Sequence, residues 1–77
     1  MSKNYDITVQ VWKKVEVASS PVKKALTVER REVVRVRNYE SAKEHSSSVA
    51  SRLRKKYGKD ADFLEIKQYI FEWRGEK

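Results

Sequence analysis

The stretch Asp60–Gly75, DADFLEIKQYIFEWRG, decides the fold, because it can be read in two ways. As a helix, Asp62 and Glu65 would form a capping box, with Phe63, Ile66, Ile70 and Trp73 at helical spacing. As a strand, it offers Phe, Ile, Tyr, Ile, Phe and Trp, side chains that suit a pleated, half-buried surface. Leu64 and Ile66 share one parity while Tyr69, Phe71 and Trp73 share the other, so a strand needs a bulge near Lys67-Gln68. The residue types favour a strand over 62–74.

Immediately before it, NYESAKEHSSSVASRLRKKYG predicts a helix over Ser41–Tyr57. Ser41 and Glu44 fit a capping box, and Gly58 suits a left-handed position just past the helix end. Ala42, Ser46, Val49, Ala50, Leu53 and Tyr57 fall on one face, and most are small enough for close packing on a sheet. Arg54, Lys55 and Lys56 occupy the last turn, where the helix dipole favours cations.

Two alternating segments come first. From Tyr5 to Val17 the odd positions are Tyr5, Ile7, Val9, Val11, Lys13, Val15 and Val17, between polar even positions and Trp12. That is a half-buried strand, with Lys13 marking a bulge or the end of the covered region. Ala18–Pro21 reads as the connection to a second strand over Lys24–Arg37. There Leu26, Val28, Val34 and Val36 share one parity, and Thr27, Glu29, Arg31, Arg35 and Arg37 the other. Arg30 and Glu32 interrupt the apolar row, so the middle bulges or overhangs the core. One long strand is preferred to two short ones, since Glu29–Glu32 contains no turn residue.

The order ββαβ follows. A helix of this length spans about 24 Å and returns the chain along the second strand. The expected fold is α+β: a three-stranded, mainly antiparallel sheet of order 2-1-3, a right-handed crossover, and one helix on one face. Residues 1–77 leave room for a single domain.

Composition narrows the function. The chain has no cysteine and one histidine, so neither disulfides nor a structural zinc site can stabilise it, and dimerisation is the remaining route to extra burial. A formal charge of +7 and a pI near 9.8 favour anionic partners, nucleic acid first among them. No segment has the apolar length to span a bilayer, MSKNYDITVQ does not resemble a signal peptide, and the lack of cysteine is compatible with the cytoplasm.

Since one helix covers one sheet face, the other face is the expected binding surface. It should carry Trp12, Arg31, Arg35 and Arg37, joined by Lys67, Tyr69, Phe71 and Trp73 if the last segment is a strand. Aromatic rings among cations suit single-stranded nucleic acid, giving each base a stacking surface and each phosphate a charge. Trp and Tyr are also frequent at protein interfaces. A protein partner or a homodimer is the expected occupant, with nucleic acid as the alternative. A second basic patch comprises Arg52, Arg54, Lys55, Lys56 and Lys59, although a helix end complementing its own dipole accounts for much of it.

Catalytic machinery is thin. His45 neighbours Ser46–Ser48 on one helix, which cannot supply a base across a site from a nucleophile. Asp60 and Asp62 read as caps rather than a metal pair, and Gly58 and Gly75 make no phosphate-cradling loop. No enzyme activity, cofactor, metal or small-molecule substrate is expected. In size, charge and expected architecture the chain is similar to small accessory proteins of bacteriophages, which often bind and redirect a host protein. The likeness implies a protein partner and carries over no residue.

Overall fold

A computed structural model describes residues 2–15 and 23–73. The elements are β1 (Lys3–Val15), β2 (Lys23–Val36), α1 (Tyr39–Tyr57) and β3 (Phe63–Trp73). Both outer strands pair antiparallel with β1 in the order β2-β1-β3, and α1 packs on one face. The expected α+β, ββαβ architecture of order 2-1-3 is therefore observed. The end of the first predicted strand, Glu16-Val17, the Ala18–Pro21 connection and Arg74 lie outside the described residues.

The alternation in β1 organises the core. Tyr5, Ile7, Val9 and Val11 point under the helix, with Ile7 2% exposed and Val9 and Val11 fully buried. Ala42, Val49, Ala50 and Leu53 of α1 meet them. Burying each large aliphatic side chain contributes about 1.5–3 kcal/mol. Around this centre Val28, Val34, Val36, Tyr57, Phe63, Ile66 and Ile70 are half-buried. The thinnest extent is 14 Å, and the described residues form two layers, the sheet and α1.

The helix is shorter than the sheet. Its 19 residues span about 28 Å, against about 43 Å for the 13 residues of β1. Tyr39 packs edge-on against Tyr5, and Tyr57 sits beneath the ammonium of Lys13, so α1 covers β1 from Tyr5 to Lys13.

Four local expectations are corrected. Asn38, not Ser41, caps the helix: its side chain accepts a 2.9 Å hydrogen bond from the Ser41 amide, and the helix starts at Tyr39. Gly58 is right-handed (φ −63°, ψ −16°), and glycine fits because a Cβ would collide with the Arg54 carbonyl oxygen. The β3 bulge falls at Leu64, where Trp12 opposes Glu65 and Lys13 opposes Phe63, rather than at Lys67-Gln68. The fourth correction concerns Leu26. Opposite that same point of β1, β2 carries an extra residue at Thr27, so Val11 opposes Val28 and Trp12 opposes Leu26. The bulge flips Leu26 onto the open face, away from the apolar row of Val28, Val34 and Val36.

Arg30 and Glu32 overhang the core as expected. Glu32 Oε1 lies 3.0 Å from His45 Nε2, which ties β2 to the helix. This contact, with Arg30 nearby, holds the Glu32 carboxyl below the usual carboxylate range. On the β3 side, buried Ser46 donates its hydroxyl to Gln68 Oε1 at 2.8 Å.

Candidate functional site

Strand register arranges the open face in cross-strand rows. Reading from β3 through β1 to β2, the first is Trp73, Asn4, Arg35 and the second Phe71, Asp6, Val33. Tyr69, Thr8, Arg31 and then Lys67, Gln10, Glu29 follow, and the last is Glu65, Trp12, Leu26. Of the residues expected on this face, Trp12, Arg31, Arg35, Lys67, Tyr69 and Trp73 lie on it together. Arg37 is exposed but lies just beyond the last residue of β2. Phe71 stands in the middle of the aromatic row.

The rows differ in character along the strands. Near Trp12 the polar groups satisfy one another. Lys67 Nζ sits 5.0 Å from the centroid of the Trp12 ring, and the Trp12 indole donates to Gln10 Oε1 at 3.1 Å. Gln10 donates to Glu29 at 2.7 Å, and Lys24 reaches across the sheet to Glu65 at 2.9 Å. The Lys24 hydrogen bond, helped by the nearby charges of Lys24 and Lys67, lowers the Glu65 carboxyl below its ordinary range. Half-buried Trp12 is thus capped by a cation.

In the middle row, Arg31 embraces Asp6 with two hydrogen bonds, Nη2 to Oδ2 at 2.9 Å and Nε to Oδ1 at 3.3 Å. That hydrogen bonding, with the charge of Asp6 behind it, raises the guanidinium further above its already high range. Arg31 is therefore occupied from within the sheet. The signal was present in the sequence, since Asp6 has the parity of Trp12.

Toward Trp73 the face is apolar and open. Phe71 is 64% exposed, Val33 52%, Trp73 45% and Tyr69 39%. Val33, not among the residues expected on this face, shares the parity of Arg31 and Arg35 and lies opposite Asp6. Arg35 makes no ion pair among the described residues and borders this patch.

The second patch gathers at the opposite end. Arg52, Arg54, Lys55, Lys56 and Lys59 are all exposed. The antiparallel strand ends add Lys14 opposite Lys24 and Val15 opposite Lys23. Lys13 and Lys56 lie 5.2 and 5.6 Å from the centroid of the Tyr57 ring, and Lys13 pairs with Asp60. The hydrogen bond from Lys13, with another from the Asp62 amide, lowers the Asp60 carboxyl.

No helix among the described residues is long and apolar enough to cross a membrane, and none of their His, Asp and Glu side chains form a group of three suited to a metal ion. Comparisons with protein-family models, curated proteins and solved structures returned no match.

Proposed function

We propose that this chain is a small binding protein that docks its open sheet face on another protein and modulates it by occupying its surface. The observation that supports the reading is the run Tyr69, Phe71, Trp73 along one side of an edge strand, with Val33 across the sheet, all exposed. Such large rings bury much area at little entropic cost and commonly carry most of an interface's binding energy. The charges beside them argue against single-stranded nucleic acid at this face. Arg31 is engaged by Asp6, and the Trp12 ring is covered by Lys67 instead of being open to a base.

The partner is an apolar surface bordered by carboxylates. Arg35, which makes no ion pair among the described residues, shares a row with Trp73 and suits a carboxylate on the partner. A second copy is less suited, because it would bring another Arg35 without an ion pair among the described residues to the patch instead of a carboxylate.

The test is affinity capture after nuclease treatment, followed by titration of the purified partner. Stoichiometric binding to the native chain, lost in a folded Phe71→Asp variant, supports the proposal. Truncating Phe71 or Trp73 to alanine should weaken binding by about 2 kcal/mol or more, roughly 30-fold. Equal binding by Phe71→Asp would sink it. So would a dimer at micromolar concentration that Phe71→Asp dissociates, because a second copy would then own the face.

A further inference from the structure

We infer that the basic end is a second, separate surface, which holds the phosphodiester backbone of nucleic acid without reading its sequence. The topology builds this surface from three places in the chain. β1 ends beside the start of β2, and α1 ends over the same end of the sheet, where Tyr57 lies between Lys13 and Lys56. The connection to β3 is fastened there by a 2.8 Å bond from the Lys14 amide to the Asp62 carbonyl. Residues 13–15, 23–24 and 52–65 hold nine Lys and Arg against three carboxylates, most of the net charge of +7. Asp60 and Glu65 are already taken by Lys13 and Lys24. Lys14, Lys23, Lys55, Lys56 and Lys59 make no ion pair among the described residues.

Fold stability accounts for Lys13 and Lys24, which pair with Asp60 and Glu65, but not for the cations left without an ion pair among the described residues. The helix dipole favours Arg54, Lys55 and Lys56 in the last turn, and Lys13 lies over Tyr57 there, but neither accounts for Lys14 or Lys23 on the strands. Lys14 stands directly opposite Lys24, a like-charge pairing that destabilises an antiparallel pair; Glu65 engages Lys24, but Lys14 has no ion pair among the described residues. A polyanion relieves that repulsion, and each lysine that meets a phosphate releases a condensed counterion. The lysines are flexible point charges, and the Tyr57 ring is flanked by two of them, so the surface meets phosphates and leaves bases unread.

The experiment is fluorescence anisotropy of a short labelled duplex, titrated with the full chain between about 50 and 200 mM salt. In Lys14→Gln/Lys56→Gln the log–log salt slope should fall by about 0.9 for each contact removed. Lys3→Gln/Lys43→Gln loses the same charge from elsewhere on the molecule and should keep the native slope. Equal losses in the two double variants would reduce the effect to net charge and overturn the inference. No binding by the native chain at about 100 mM salt would also overturn it, as would equally tight binding of polyglutamate. Phe71→Asp should bind the duplex normally, so the failure of either surface can be read without the other.

Discussion

The two faces of this sheet are drawn from the same strands yet serve opposite ends. Under the helix, Ile7, Val9 and Val11 are essentially sealed from water, whereas on the other side Phe71, Trp73 and Val33 remain about half exposed. Hydrophobicity alone does not separate them, since both sets are apolar. Burial within the chain does: apolar area already removed from water stabilises the fold, and area still wet is available to a partner.

The largest expected effect tests that division directly. Ile7→Ala removes a buried aliphatic chain and should cost about 2–5 kcal/mol in urea unfolding. That is a large share of the roughly 4–12 kcal/mol expected for a chain of 77 residues. Phe71→Ala deletes a larger side chain but should cost less than about 1 kcal/mol, since it lies on an exposed face. If the two variants proved equally destabilised, the open face would be part of the core, and the contrast would fail.

Much of this division was legible in the sequence. The alternation of β1 and the small-residue face of α1 identified the covered side, because each position there answers to one dominant demand, exclusion of water. The bulges were less legible. Thr27 and Leu64 look like ordinary strand residues, and only the pairing with β1 shows that both extra residues fall opposite Val11–Lys13. Parity alone therefore puts Leu26 on the core side and the β3 bulge three residues late. The helix cap was missed for a related reason. Ser41 and Asn38 are both good caps, and the choice depends on where β2 releases the chain. On the candidate site, parity placed Trp12, Arg31, Arg35, Lys67, Tyr69 and Trp73 on one face, while Arg37 falls beyond the end of β2. It did not show that Asp6 and Lys67 would engage Arg31 and Trp12, because those contacts depend on side-chain reach across strands.

A smaller effect sharpens the comparison on the covered side. Ser46 is the one polar side chain buried among the described residues, and its hydroxyl is spent on Gln68. Ser46→Ala loses a hydrogen bond of about 0.5–1.5 kcal/mol, while alanine recovers up to about 0.5 kcal/mol of helix propensity. A net loss of between zero and about 1 kcal/mol is expected in urea unfolding. A gain in stability would mean that Gln68, exposed on the strand, is served equally well by water.

The smallest expected effect is one in which the two faces should behave alike. Glu32 lies on the covered side beside His45 and Arg30, and Glu65 on the open side beside Lys24 and Lys67. Both carboxyls are held below their ordinary range by these partners. Depressed carboxyls contribute stability that is complete above the unfolded value, about 4.3 for Glu. It is lost as pH falls through the lower folded value. Stability should therefore hold steady on acidification to about pH 5 and decline below about 4.5. Glu32→Gln and Glu65→Gln should each make that decline shallower by a small and similar amount. Their side chains are 35% and 37% exposed, so solvent screens both pairs equally, whichever face they occupy. Molar salt should erase the difference between each variant and the native chain. A salt-resistant effect at Glu32 alone would show that its contact with His45 belongs to the core rather than to the rim, and would move the boundary between the faces outward to β2.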